Sequence, residues 1–167
     1  MASHAQYLRI QPLGGPQAEW CGRTVELVEK LHRGLQELVK DELDRRKIQD
    51  INGVQALMLY HFSEESLAPG DLRARGHYQG TNATYNLKKL VTHGYVDQKP
   101  SETDRRSVRL SLTVKGEGVR AALRALFCRH EQSMGVVADL PSDSMVALNT
   151  LMGRLERFWV DQVRFRL

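Results

Sequence analysis

Between Pro69 and Thr113 the chain sets two short helical patterns, joined by a brief glycine-containing stretch, ahead of two strand patterns separated by a polar, basic turn. Pro69–Arg75 reads as a short helix, with proline in the first turn, where its missing N–H costs little, and Gly76 as its end. Gly80 opens the next segment. Thr81 or Asn82 is placed to cap a helix carrying Ala83, Leu87, Leu90 and Val91, and Gly94 closes it. Tyr95–Lys99 is a short, mixed strand candidate. Ser107–Thr113 alternates cleanly, with Val108, Leu110 and Leu112 on one face and Ser107, Arg109 and Ser111 on the other. Pro100–Arg106, between the strands, forms a hairpin tip.

Helix, turn, helix, strand, basic loop, strand is the order of a winged helix-turn-helix. The flanks are helical. Val25, Val28, Leu31, Leu35, Leu38 and Val39 recur at helical spacing and predict a helix over Ala18–Arg46. A second helix, capped by Asp50 or Asn52, runs through Val54, Ala56, Leu57, Met58, Leu59, Tyr60 and Phe62. It is apolar on most sides and so predicts the centre of the core. After the strands, Val119, Ala122, Leu123, Leu126 and Phe127 mark a helix from about Lys115 to Leu140. Another starts with Ser142 or Asp143 as cap and carries Leu148, Leu151, Met152, Leu155, Phe158, Trp159 and Val163. The fold class is therefore mainly α with a small β-hairpin. Residues 1–17 are expected to be a flexible lead-in, and 18–167 one domain. Within it the winged-helix core spans about 50–116, and dimerisation helices span about 18–46 and 115–166. One winged-helix core cannot cover both terminal apolar stripes, so a homodimer is expected.

Charge points to the partner. From Leu72 to Arg109, eight basic residues face three acidic ones, in a chain whose net charge is only +4. Such a local excess suits a polyanion. A helix starting near Thr81 fits the major groove of double-stranded DNA and brings Thr81, Asn82, Thr84, Tyr85, Asn86, Lys88 and Lys89 to it. Asparagine can bond adenine through two atoms, threonine and tyrosine can pack on a thymine methyl, and the lysines suit phosphates. Arg105 and Arg106 at the wing tip can reach the adjacent minor groove. Lysines alone would be ordinary solvated charges, and Leu87, Leu90 and Val91 are core; the order of elements carries the reading.

The stretch DRRSVRLSLTVKG, Asp104–Gly116, resembles the wing signature of the MarR family of bacterial regulators: Asp-x-Arg, three residues, a hydrophobe, one residue, Leu-Thr, two residues, Gly. Asp104, Arg106, Leu110, Leu112, Thr113 and Gly116 all fit. NLKKLVTHGYV resembles the end of the family's recognition helix, and the likeness extends from about Trp20. LVEKLHRGLQELVKDELDR and RGHYQGTNATYNLKKLVTHGY resemble its LdtR-like subgroup. The resemblance implies a minor-groove role for Arg106 and a wing-bracing role for Asp104, through a nearby arginine. Thr84 falls at a common recognition-helix Ser or Thr position. Tyr85 departs from the pattern, which often has arginine there, so contact with a methyl or phosphate is expected in place of a guanine contact.

The family also places an effector pocket between the dimerisation helices and the winged-helix core. Leu31, Leu35, Tyr60 and His61 are its candidates by position, for a small molecule of unspecified chemistry. Cys21, near the start of the first helix, is a candidate redox thiol; Cys128, inside an apolar stripe, reads as structural. The six histidines form no HxxxH or HxH pair and no cysteine sits at ligand spacing, so neither a metal nor another cofactor is expected. No GxSxG, HExxH, GxxxxGKS or GxGxxG pattern occurs, and no enzymatic activity is expected. The competing class is a winged helix used as a protein-interaction module; retention of Lys88, Lys89, Arg105 and Arg106 weighs against it. With no membrane-length apolar run and no signal-peptide centre, a cytoplasmic location is expected.

Overall fold

Helix α1 runs from Pro16 to Arg45. It begins two residues earlier than the apolar pattern indicates, because proline's fixed φ suits a first helical turn. The computed structural model describes residues 16–63, 66–75, 80–101 and 108–165, without the side chains of 16–21, 73–75 and 80–81. Helices α2 (Gly53–Tyr60), α3 (Pro69–Arg75) and α4 (Gly80–Thr92) follow. Strands β1 (Val96–Pro100) and β2 (Val108–Leu112) come next, then helices α5 (Val114–Val137) and α6 (Ser142–Phe165).

The core centres on α2. Ala56, Met58 and Leu59 are buried against Val39 and Leu43 of α1 and Val119, Leu123 and Leu126 of α5. Asn52, not Asp50, caps α2. Its side chain accepts from the Gln55 backbone N–H at 2.9 Å, and the Gln55 side chain accepts in return from the Asn52 N–H at 3.0 Å. This reciprocal box satisfies two N–H groups that would otherwise lack partners. Two other expected caps also move. Helix α4 starts at Gly80, which puts Thr81 and Asn82 inside the first turn. Helix α6 starts at Ser142, with Met145 N–H donating to the Pro141 carbonyl at 3.1 Å.

Gly94 closes α4 as expected. Its φ of 73° lets its N–H reach the Val91 carbonyl and lets Tyr95 N–H reach back to Leu90 at 2.9 Å. The strands pair antiparallel, with Val96 opposite Leu112 and Pro100 opposite Val108. Leu110 also exchanges both backbone hydrogen bonds with Leu67, at 2.8 and 2.9 Å, so the segment before α3 flanks the hairpin. Thr113 caps α5, accepting from Gly116 N–H, and its hydroxyl donates to the Gly94 carbonyl at 2.7 Å.

The two ends of the molecule are built differently. Toward its C-terminus α1 buries Glu42, whose carboxylate meets Arg45 at 2.5 Å, Arg46 at 2.7 Å and Arg129 of α5 at 3.4 Å. Burial pulls this carboxyl upward, but the Arg46 hydrogen bond and the three guanidinium charges outweigh it and hold it below the usual range. Toward its N-terminus α1 leaves Val25, Leu27, Leu31 and Leu35 exposed, and α6 has no buried residue at all. Cys128, read as structural from its apolar stripe, is exposed in the single chain. It lies two residues past buried Leu126, about 200° around the helix, which carries it off the buried stripe.

Candidate nucleic-acid interface

Helix α4 divides sharply into two faces. Ala83 and Leu90 are buried and Leu87 and Val91 half-buried, which fixes one face to the core. Asn82, Thr84, Tyr85, Lys88, Lys89 and Thr92 are exposed on the other. Tyr85, 59% exposed, lies at the middle of that face, and the Lys89 ammonium sits 5.8 Å from its ring centroid. Thr84 and Lys88 stand on the side nearer the hairpin. With Leu87 they line a groove of about 280 Å³ whose far wall includes Gln98 and Val108. Thr81 is in the first turn, and its side chain lies outside the described residues.

Asn86 differs from the other candidates. It is half-buried, and its side-chain oxygen accepts from Gln55 Nε2 at 3.1 Å. A two-atom contact with adenine needs that oxygen, so the structure commits Asn86 to α2 rather than to the exposed face. Sequence pattern alone gives Gln55 no role toward α4. Its signal was the Asn52-x-x-Gln55 spacing of a capping box.

A second brace lies behind the C-terminal end of α4. Asp50 accepts from the Tyr95 hydroxyl at 2.6 Å and from Lys115 Nζ at 2.6 Å. Lys115 also donates to the His93 carbonyl at 3.1 Å and lies 4.0 Å over the Tyr95 ring. Desolvation raises the Asp50 carboxyl, but the Lys115 and Tyr95 hydrogen bonds outweigh it and leave it below the usual range. The Asp50 hydrogen bond lifts the Lys115 ammonium above the ordinary lysine value. Burial, reinforced by the bond to Asp50, raises the Tyr95 hydroxyl. This network joins the loop before α2, the α4–β1 turn and the start of α5.

At the wing, Arg109 on β2 donates from Nε to the Ser66 hydroxyl at 3.2 Å and from its other arm to the Ser66 carbonyl. One of the eight basic residues is thus engaged within the chain. Asp104, Arg105 and Arg106 lie outside the described residues.

Three of the four pocket candidates meet. Leu35, Tyr60 and His61 line a cavity of about 510 Å³ between α1, α2 and α5, together with His32, Gln36 and Phe127. Tyr60 stacks edge-on against both His61 and Phe127. Leu31 does not line it; it is 58% exposed, one turn before Leu35. The Cys21 side chain lies outside the described residues. Among the described residues no three His, Cys, Asp or Glu side chains gather as metal ligands, and no helix is long and apolar enough to cross a membrane.

A family profile described as a winged helix DNA-binding domain matches residues 51–116. The chain is 33% identical over 139 residues to the exopolysaccharide II synthesis transcriptional activator ExpG of Rhizobium meliloti (strain 1021), covering 83% of this chain and 71% of ExpG. Its fold is similar to that of the transcriptional regulator SlyA, with a TM-score of 0.71 at 15% identity over 86% of this chain and 99% of that one. It is also similar to a mutant MarR from E. coli complexed with operator DNA, with a TM-score of 0.62 at 20% identity over 78% and 91%. The fold and the face of α4 define a winged helix-turn-helix DNA-binding transcriptional regulator. Within that class, the chain belongs to the MarR family.

Proposed function

We propose that two copies of this chain bind one pseudo-palindromic DNA duplex, each placing α4 in a major groove and its hairpin along the adjacent minor groove. The carrying observation is the two-faced α4. Its apolar side is anchored in the core, while Asn82, Thr84, Tyr85, Lys88 and Lys89 are left open together. Lysines 88 and 89 hold phosphates, and Asn82, Thr84 and Tyr85 meet base edges or methyl groups. Arg105 and Arg106 extend the contact from the wing. The second copy covers the exposed apolar faces of α1 and α6, where Leu31, Leu151 and Phe158 are each more than half exposed. Two-fold symmetry sets the recognition helices about one DNA turn apart, hence the pseudo-palindrome.

A small, largely apolar molecule in the cavity between α1, α2 and α5 modulates this binding. It touches Leu35 on the dimerisation helix and Tyr60 and His61 on the core helix, so occupancy biases their relative placement. The protein acts by binding and carries out no catalysis.

Selection from a randomised duplex pool, followed by titration of the selected duplex at several salt concentrations, tests the reading. Two chains per duplex and a steep loss of affinity with salt are expected, as phosphate counterions are released. Salt-independent binding, or no enriched sequence, would sink it.

A further inference from the structure

We propose that Gln55 is a positioning residue for DNA readout: its carboxamide clamps Asn86, sets the roll of α4, and makes Asn86 a strut rather than a base contact. The inference rests on α4 being the recognition helix, as proposed above. Gln55 is only 6% exposed, and both ends of its carboxamide are used. Oε1 accepts from the Asn52 N–H at 3.0 Å and Nε2 donates to Asn86 Oδ1 at 3.1 Å. The α2 capping box thus holds the glutamine in one orientation, and the glutamine holds α4.

Roll matters because, among the described residues, the other contacts of the α4 body with the core are apolar, and the Lys115 and Thr113 bonds act just beyond its last turn, at His93 and Gly94. Ala83, Leu87 and Leu90 supply burial, which is non-directional and tolerates small rotations. A hydrogen bond does not, since it weakens steeply with angle. Side-chain tips lie roughly 6 Å from a helix axis, so a roll of about 10° moves them by about 1 Å. That shift exceeds the roughly 0.5 Å tolerance of a specific contact. Lysine ammonium groups at phosphates act as flexible point charges and absorb it. Loss of the clamp therefore acts on sequence discrimination more than on general DNA affinity.

The test compares affinity for a duplex selected by the wild-type chain with affinity for a scrambled duplex. Gln55→Met, Asn86→Ala and the double variant are each expected to lower the selected-to-scrambled ratio by the same factor, roughly ten-fold, typical of directly coupled neighbours. The scrambled-duplex affinity and the salt slope stay unchanged. Leu126→Ala, a truncation in the α5 part of the core that touches neither Gln55 nor Asn86, is expected to lower the melting temperature and leave the ratio intact. If Gln55→Met does not fold, Asn86→Ala still decides through reselection: the clamp predicts diffuse relaxation across the half-site. Relaxation confined to one base pair, or single losses that multiply in the double variant, would overturn the clamp while leaving DNA binding in place. A wild-type chain that enriches no sequence would overturn the underlying reading as well.

Discussion

Lys115 Nζ lies 2.6 Å from Asp50 Oδ2, sixty-five positions away in sequence, and ties the start of α5 to the loop before α2. Both side chains are partly exposed, 49% and 39%, so water screens much of the pair. The Tyr95 hydroxyl is the costlier member to strand, because Tyr95 is otherwise buried. Asp50→Ala should cost about 1–2 kcal/mol in urea unfolding. The pH dependence has two edges. Asp50 has a lowered folded pKa, so its contribution is present above its unfolded value, about 3.9, and is lost as pH falls through the folded one. Lys115 has a raised folded pKa, so its contribution is present below about 10.4 and lost as pH rises through the folded value. Asp50→Asn should flatten both edges of the stability profile; a profile identical to wild type would refute the pairing.

Two glycines two residues apart in α5 should respond in opposite ways to alanine. A Cβ on Gly116 would fall 2.1 Å from the Tyr95 carbonyl oxygen, a backbone atom that cannot step aside. Gly116→Ala should cost about 2–3 kcal/mol, at the upper end of overpacking. A Cβ on Gly118 meets nothing within 4 Å, so Gly118→Ala should gain up to about 1 kcal/mol from helix propensity. Paired thermal melts check both signs.

Tyr85 is the test of readout. It is well exposed, and nothing on the core side of α4 depends on it. Tyr85→Ala should weaken binding to the selected duplex by about 1–2 kcal/mol, near ten-fold, without shifting the melting temperature. Fluorescence anisotropy beside a thermal melt separates the two effects, and unchanged affinity would remove Tyr85 from the interface.

The apolar stripe of α6 should set the assembly. Leu151→Glu with Phe158→Glu places charges where each wild-type side chain is more than half exposed in the single chain. Folding of the winged-helix core should persist, while sedimentation should report a monomer and DNA binding should fall sharply. A dimer that survives both substitutions would place the interface elsewhere.

Local punctuation made much of the fold legible. Pro69 and Gly94 mark helix ends, the alternation from Val108 to Leu112 marks the strand, and Asp104–Gly116 carries the family resemblance. What escaped was the use of polar side chains across long separations. Asp50 looked like a cap but serves Tyr95 and Lys115, while Asn52 caps α2. Asn86 looked like a reader but is held by Gln55, thirty-one residues earlier. Cys128 looked structural because its neighbours are apolar, yet its angular position on α5 turns it outward. Leu67 carried no strand pattern, since a single bridge leaves no alternation to detect.

That single bridge between Leu67 and Leu110 makes a ruler of the molecule. The chain just before α3 and the inner strand of the hairpin share one pair of backbone hydrogen bonds, so helix pair and wing cannot slide past each other. In the proposed DNA complex this bridge restrains the spacing between the tract met by α4 and the tract met by the hairpin. Inserting one base pair between those two tracts of a target, about 3.4 Å of rise, is then expected to be met by distorting the duplex.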